Sequence, residues 1–297
     1  MKTVLWIVTA AVFTFSNPAF ATPAADEQQL ASTLALAESG DPVAVNRLGA
    51  WYEKGINVEV DLVRAALLYR QAAQSGNAIA QNNLGVLYNR GAGVALDKNM
   101  AVYWYAKAAE QGHAWAQANL AYAYEHGTAG ERDIDKAQYW LMRSAEGGLA
   151  DAQVRLGVLL MSRASHEAER ADAAAWLARA AAQDFAPGLY YLGRSFELGL
   201  GNVQDDDRAA ALYRQAMRSR HPAAFYRYGV ILERRGDEDL AAAAFRQGAV
   251  LGDCRAALRS QHAPPTSRTL HAAVSGQTEL SWRTGFCGPL SELAPGL

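Results

Sequence analysis

The sequence is poor in cysteine and has no excess of charge of either sign. Its 297 residues include two cysteines, and 28 lysines and arginines against 30 aspartates and glutamates give a formal net charge of −2. Nucleic-acid binders need a surplus of basic residues on one face, so the balanced charge argues against that class. After an apolar run near the N-terminus, no stretch is apolar enough to cross a membrane.

The sequence also lacks a complete catalytic motif. His166-Glu167 opens like a zinc-protease motif, but the second histidine is missing from the residues that follow. Gly193-Arg194-Ser195 lacks the closing glycine of a nucleophile elbow, and no Gly-Lys-Ser/Thr follows the Gly-x-Gly turns. We therefore expect no enzymatic activity, no cofactor and no metal site. A hydrolase with an unrecognised site is the alternative, marked by a pH-dependent activity that a single substitution removes.

What the sequence does contain is a repeat with a constant step of 36 residues. A Leu-Gly pair or its equivalent marks each repeat: Leu48-Gly49, Leu84-Gly85, Leu120-Ala121, Leu156-Gly157, Leu192-Gly193 and Tyr228-Gly229. Self-similarity at such a period is typical of solenoids, in which each unit buries its apolar face against its neighbours. The predicted repeats are 41–76, 77–112, 113–148, 149–184, 185–220 and 221–252.

Each repeat reads as two helices. In residues 77–112, Ala80, Leu84 and Tyr88 form one apolar helix face, which ends at Gly91-Ala92-Gly93. A carboxylate recurs where the second helix should begin, and we expect it to cap that helix: Asp61, Asp97, Asp133, Glu169 and Asp205. Trp104, Trp140 and Trp176 of the second helices are interpreted as packing residues rather than a sugar-stacking ladder. Repeat four lacks the turn glycines, which predicts a partly helical turn.

The strings LGxxYxxGxGVxxD and AxxWYxKAAEQGxAxAQ resemble Sel1-like repeats, which are related to tetratricopeptide repeats. The resemblance covers roughly residues 40–253 and implies an all-α fold, a right-handed α-solenoid of six two-helix repeats with a capping helix at each end. We expect the caps over residues 25–39 and from Cys254 onward. The repeat domain is then 22–261, followed by an irregular tail over 262–297.

Residues 1–21 have the features of a secretory signal peptide: Lys2, an apolar run and a small-residue cleavage site at Ala19-Phe20-Ala21. We therefore expect a periplasmic or secreted protein. In an oxidising compartment, Cys254 and Cys287 most simply form one disulfide. It would close a loop of about 34 residues and stabilise the fold by roughly 3–4 kcal/mol in the chain-entropy model. A redox or metal pair is the alternative.

The first helices of two-helix solenoids line the concave surface, where a partner can bind. If positions 44, 48 and 52 are buried, positions 46, 50, 53 and 54 lie on the opposite side of the helix. This face predicts twelve partner-binding residues: Asn46, Asn82, Asn89, Tyr122, Glu125, Val154, Val158, Met161, Tyr190, Arg194, Glu197 and Tyr226. Val154, Val158 and Met161 would form a solvent-facing apolar patch, unless the turn of repeat four or the tail covers it.

These features predict a monomeric, non-catalytic binding protein that holds a partner protein or an extended peptide in the groove. The family resemblance implies a regulator, a scaffold or a toxin-immunity protein, and the residues do not choose among these roles. A cell-wall or exopolysaccharide binder is the alternative, because Tyr122, Tyr190 and Tyr226 could stack on sugars if they are exposed.

Overall fold

The structure, a computed structural model, describes residues 23–128 and 130–262. The predicted signal peptide, all but the first residue of the predicted tail, and Cys287 lie outside these residues. Every regular element in the described part is an α-helix. The helices are α1 Pro23–Glu38, α2 Pro42–Lys54, α3 Leu62–Gln74, α4 Ala78–Arg90, α5 Lys98–Glu110, α6 Ala114–His126, α7 Ile134–Glu146, α8 Ala150–Arg163, α9 Glu167–Ala181, α10 Ala186–Leu198, α11 Asp206–Arg218, α12 Pro222–Arg234, α13 Glu238–Val250 and α14 Cys254–His262.

The helices follow the step seen in the sequence. The first helices α2, α4, α6, α8, α10 and α12 begin at residues 42, 78, 114, 150, 186 and 222, always 36 residues apart. Each is followed by a second helix, and α1 and α14 are the additional helices at the two ends. The prediction of an all-α solenoid fold built from six helix pairs with an extra helix at each end is confirmed.

The chain divides into two compact units, Met1–Asp97 and Lys98–Leu297. Helices α1 to α4 belong to the first unit and α5 to α14 to the second. The boundary falls between the two helices of the second repeat, whereas the sequence pattern predicted one repeat domain over 22–261.

Glycine ends most of the first helices. Gly55, Gly91, Gly127 and Gly199 adopt the left-handed conformation, and each donates its backbone N–H to the carbonyl of the residue four positions earlier. The second glycine of the turn packs on the preceding repeat: a Cβ on Gly201 would overlap the carbonyl of Arg170 at the start of α9. Glycine is therefore required here both for the backbone conformation and for the close approach.

Repeat four is built differently. Helix α8 runs on to Arg163, and only residues 164–166 separate it from α9, against residues 55–61 in the first repeat. Glu169 is not the N-cap that the sequence pattern predicted, because α9 begins two residues earlier. His166 is the cap and accepts from the backbone N–H of Glu169, while the Glu169 carboxylate accepts from the N–H of Ser165 at 2.7 Å. This arrangement differs from a capping box by one residue, because the carboxylate accepts the N–H of the residue before the N-cap.

The other predicted caps are confirmed at three positions. The side chains of Asp61, Asp133 and Asp205 accept backbone N–H groups at the starts of α3, α7 and α11. Asp97 stays a prediction. The first helices α2, α4 and α6 have side-chain caps that were not predicted: Asp41, Asn77 and His113 accept the N–H three residues later.

Small residues let the two helices of a repeat pack closely. The ring of Tyr213 lies against the Gly193 backbone, where an added Cβ would stand 2.7 Å from a ring carbon. Phe245 packs in the same way on Gly229. Trp140 and Trp176 are half-buried against the cluster that contains Leu156, which confirms that they are packing residues.

Buried glutamines complete the ends of the second helices. Gln81, Gln117 and Gln153 each donate Nε2–H to a backbone carbonyl eight residues earlier, at 3.1 Å. The carbonyls belong to the last turns of α3, α5 and α7, where helix geometry leaves them without an intrahelical partner. Each glutamine thus joins a first helix to the second helix before it.

Candidate partner-binding surface

Equivalent residues of the first helices, spaced 36 apart, are called here a column and numbered by the member in the first repeat. In repeats one and five the 53 column faces the second helix of its own repeat rather than solvent. Tyr69 Oη donates to Glu53 at 2.6 Å, and Tyr213 Oη donates to Glu197 at 2.7 Å. Burial, together with the neighbouring carboxylate, raises the pKa of both tyrosines above the ordinary value. In repeat four the column holds Met161, which is 7% exposed.

The 46 column is also largely covered. Asn82, Val154 and Tyr190 are between 5% and 8% exposed. The Tyr190 ring stacks on His221 of the next repeat at 4.8 Å between centroids. This column therefore packs against the following repeat and does not form an open surface.

The expected exposure is thus wrong for six of the twelve predicted partner-binding residues. The structure buries Asn82, Val154, Met161, Tyr190, Arg194 and Glu197. The expected solvent-facing patch is wrong for Val154 and Met161, because Tyr191 of α10 packs on the cluster that contains them.

The other six predicted residues remain accessible to different degrees, and their contact with a partner stays a prediction. Asn89 and Tyr122 are exposed, while Asn46, Glu125, Val158 and Tyr226 are half-buried. Two of them are held by neighbours. Glu125 accepts from Arg155 at 2.9 Å, and the Tyr226 ring lies under the Arg255 guanidinium at 4.7 Å.

Within each of the two units, the surface that remains open consists of the 43, 47, 50 and 54 columns. Among their residues, only Arg194 is buried. We call this surface the open face. The face predicted from periodicity consisted of the 46, 50, 53 and 54 columns, so the open face is displaced from it by roughly one residue. The displacement arises because a first helix contacts both its own second helix and the next repeat.

The open face is most aromatic on α6. Trp115 is 57% exposed and Tyr122 is 50% exposed. Residues seven and eleven positions apart share one side of a helix, so Trp115, Tyr122 and His126 form one row, here called the α6 stripe. The Tyr122 ring stacks on His126 with 4.0 Å between the ring centroids. The guanidinium of Arg155, on α8, lies 5.8 Å from the centroid of the Tyr122 ring. The sequence analysis missed Trp115, although its position in the 43 column was a usable signal.

A second concavity lies where repeat four departs from the pattern. A cavity of about 620 Å³ is bounded by α7, the end of α8 and the start of α9. Met142, Leu160 and Trp176 supply its apolar part, and the Arg179 guanidinium lies 4.3 Å from the Trp176 ring. The short turn after α8 leaves this space open.

Within residues 23–128 and 130–262, no three His, Cys, Asp or Glu side chains come together as a metal site would require. None of the helices in the described part has the length and apolar character that spanning a membrane requires. Cys254 begins α14, but Cys287 lies outside the described residues, so the disulfide stays a prediction.

Comparison with known proteins gives a consistent result. The model of the Sel1 repeat matches residues 42–77, 78–113, 116–149, 150–185 and 186–220. The crystal structure of c5321, a protective antigen present in uropathogenic Escherichia coli strains displaying an SLR fold, is similar with a TM-score of 0.70 and 28% identity. That match covers 88% of this chain and 62% of c5321, so this chain spans less than two thirds of its length.

A Sel1 repeat protein from Oxalobacter formigenes is similar with a TM-score of 0.65 and 25% identity, over 86% of this chain and 93% of that one. The comparison with curated proteins gives no match.

Proposed function

Because the chain belongs to the Sel1 repeat family, we propose that it is a non-catalytic binding protein that holds a partner polypeptide on the open face of α6 to α12. Sel1 repeat proteins generally mediate protein–protein interactions, and the family is typically non-catalytic. The expected signal peptide supports a periplasmic or secreted setting for this interaction.

The observation that carries the proposal is the α6 stripe. Trp115 and Tyr122 expose half or more of their surface on a helix whose other sides are packed. Tryptophan, tyrosine and arginine are the residue types most enriched among interface residues that dominate binding energy. Arg155 beside Tyr122 adds a charge that can pair with a partner and is already oriented by Glu125.

The stripe can be tested by affinity capture of the mature protein from its own cell envelope after brief cross-linking. We expect one stoichiometric protein with the unmodified chain and at least a tenfold loss with Trp115→Ala plus Tyr122→Ala, the size expected of interface anchors. The matched control is Tyr103→Ala plus Tyr139→Ala, which removes two tyrosines of similar exposure from second helices. Equal capture by the α6 variant, with an unchanged thermal melt, would contradict the proposal.

The identity of the captured species separates the remaining roles. The partner's own activity would distinguish a regulator from a scaffold and from an immunity protein. Capture of glycan without protein would favour a polysaccharide binder, for which Trp115 and Tyr122 are the exposed stacking residues. Burial of Tyr190 removes one of the three tyrosines on which that alternative was based.

A further inference from the structure

One arginine on the open face has no counter-charge. Arg194 of α10 is 9% exposed, and no hydrogen bond or ion pair joins it to another residue of the described part of the chain. Its Nε is buried without an acceptor. Leaving a buried N–H of a guanidinium without an acceptor is costly, so such a group in a native protein calls for an explanation.

Neighbouring arginines show what is missing. Arg155 of α8 pairs with Glu125 in the 53 column of the preceding first helix, at 2.9 Å. Arg234 of α12 likewise pairs with Glu197, at 3.0 Å. Arg194 lies in the 50 column, between the 47 column of Arg155 and the 54 column of Arg234. The 53-column residue of the preceding first helix is Met161, which has no charge and lines the same small cavity as Arg194.

The second helix of repeat four is altered to match. Where Tyr69 and Tyr213 donate to a glutamate of the 53 column, the equivalent residue is Leu177. Met161 and Leu177 therefore replace a hydrogen-bonded Glu–Tyr pair with an apolar one. The exchange keeps two packed side chains in repeat four and leaves its 53 column without a carboxylate.

The space beside Arg194 is small. A cavity of about 10 Å³ is lined by Val158, Leu200 and Ser195, together with Met161, Leu177, Tyr191 and Arg194 itself. This volume is about that of one water site, so a carboxylate cannot fill it and would reach the guanidinium from the open face. A guanidinium matches a carboxylate through two parallel hydrogen bonds, and the apolar surroundings strengthen such a pair.

We propose that Arg194 is a binding site for a carboxylate, supplied by an acidic side chain of the partner polypeptide. The assignment of the carboxylate to a partner polypeptide rests on the proposed function. Arg194 belongs to the same column as Tyr122, two repeats further on, so a polypeptide bound along the open face would pass both residues.

Sodium acetate, titrated at constant ionic strength with chloride as the replaced anion, tests the site without a partner. The readout is the Nε–Hε NMR signal of Arg194, assigned by its loss in Arg194→Lys. We expect a saturable shift in the unmodified protein, whereas the exposed Arg218 should show only the small linear shift of a surface arginine. A shift at Arg194 no larger than that of Arg218 would overturn the proposal.

A carboxylate built into the chain should compete with the added one. Met161→Glu plus Leu177→Tyr recreates the pair found in repeats one and five, and it places a carboxylate at a position that shares a small cavity with Arg194. We expect this variant to fold with an unchanged or higher melting temperature and to lose the saturable acetate shift. Retention of the full shift in the folded variant contradicts the assignment.

Capture experiments identify the source of the carboxylate. Arg194→Met should reduce capture of the partner at least tenfold, the range expected when one member of a desolvated charge pair is removed, while Arg218→Met should leave it unchanged. Saturable acetate binding with undiminished capture by Arg194→Met would overturn the partner as source and leave a site for small carboxylates. Failure of the proposed function itself appears separately, as capture that is insensitive to the α6 stripe.

Discussion

His113 shows how one residue links local structure to solution behaviour. Its Nδ1 accepts the backbone N–H of Ala116 at 3.2 Å and so caps α6, a role that requires this nitrogen to be unprotonated. Burial lowers the pKa of His113 below its ordinary value of 6.5. Asn77 occupies the same position in the preceding repeat and caps α4 with Oδ1, at 2.9 Å from the Ala80 nitrogen.

The unfolding free energy should therefore decrease as the pH falls below about 6.5. In that range the unfolded imidazole takes up a proton and the folded one does not, so the unfolded state binds more protons. His113→Asn keeps a cap and removes this titration. We expect a smaller loss of stability between about pH 7.5 and about pH 5.5 in urea unfolding of the variant. His221, whose pKa is also lowered by burial, supplies part of the remaining slope. Equal pH slopes would contradict the assignment.

Several site residues were wrongly predicted to be exposed because their side chains are polar. Asn82, Tyr190 and Glu197 look like surface residues in a list of amino acids, but the structure buries them. Glu197 is acceptable inside because Tyr213 and two arginines contact its carboxylate. Such pairings depend on residues 16 to 37 positions away, so a helical period alone cannot reveal them. Tyr122 was predicted as exposed and is exposed, because no equivalent partner faces it.

At the scale of the elements, the buried glutamines hold consecutive helix pairs together. Gln117 is 3% exposed and donates to the carbonyl of Ala109 at the end of α5. The backbone N–H of Gly112 also donates to this carbonyl, at 2.9 Å, so removing the amide takes away one of its two hydrogen bonds.

We expect Gln117→Ala to lower the unfolding free energy by about 0.5–1.5 kcal/mol, the usual net contribution of one intramolecular hydrogen bond. Chemical denaturation measures the change. Gln215→Ala on the exposed side of α11 is the matched control and should change stability by less than about 0.5 kcal/mol. A similar effect for the two variants would show that the hydrogen bond contributes nothing.

The Gly-x-Gly turn couples neighbouring repeats by contact of backbone with backbone. Gly201 has a φ of 68°, and its N–H donates to Glu167 at 2.9 Å. An added Cβ has to displace the start of α9, since the atom it meets is the Arg170 carbonyl oxygen.

Gly201→Ala should therefore destabilise the protein by more than about 2 kcal/mol, because a steric clash adds to the left-handed strain. Gly236 also has a positive φ, of 82°, but nothing lies within 4 Å of its Cβ position. Gly236→Ala should show the strain alone, about 1–2 kcal/mol. Melting temperatures of the two variants provide the comparison, and an equal decrease would contradict the close contact.

For the whole molecule, the helix pairs, their boundaries and both end helices follow from the repeat, because alanine and glycine recur where helices must approach. The division at Asp97 was not foreseen, since it leaves no mark in the periodic residues. The short turn of repeat four was indicated by Arg163 and Ser165 in place of glycines. The open face was only approximately placed, because its limits depend on neighbouring repeats.

The constant step predicts that a complete repeat can be removed. Deleting residues 113–148 brings Gln153 to the position that Gln117 holds relative to Ala109, so the link between helix pairs is restored. We expect a folded protein with a cooperative thermal transition followed by circular dichroism, and no partner capture, because the α6 stripe is gone. Deletion of 18 residues from the same region should give an unfolded or aggregated product. If both deletions behave alike, the repeats are not interchangeable.

Because the first helices α6 to α12 begin 36 residues apart, equivalent residues of the open face recur at a constant interval of one repeat. Insertions in the loops between helices would lengthen the chain without changing the number of repeats between two binding residues. A gained or lost repeat would change that number by one. Tyr122 and Arg194 are two repeats apart. A partner that binds both residues must match that interval. Evolution can therefore change the interval that the protein recognises only by one whole repeat at a time.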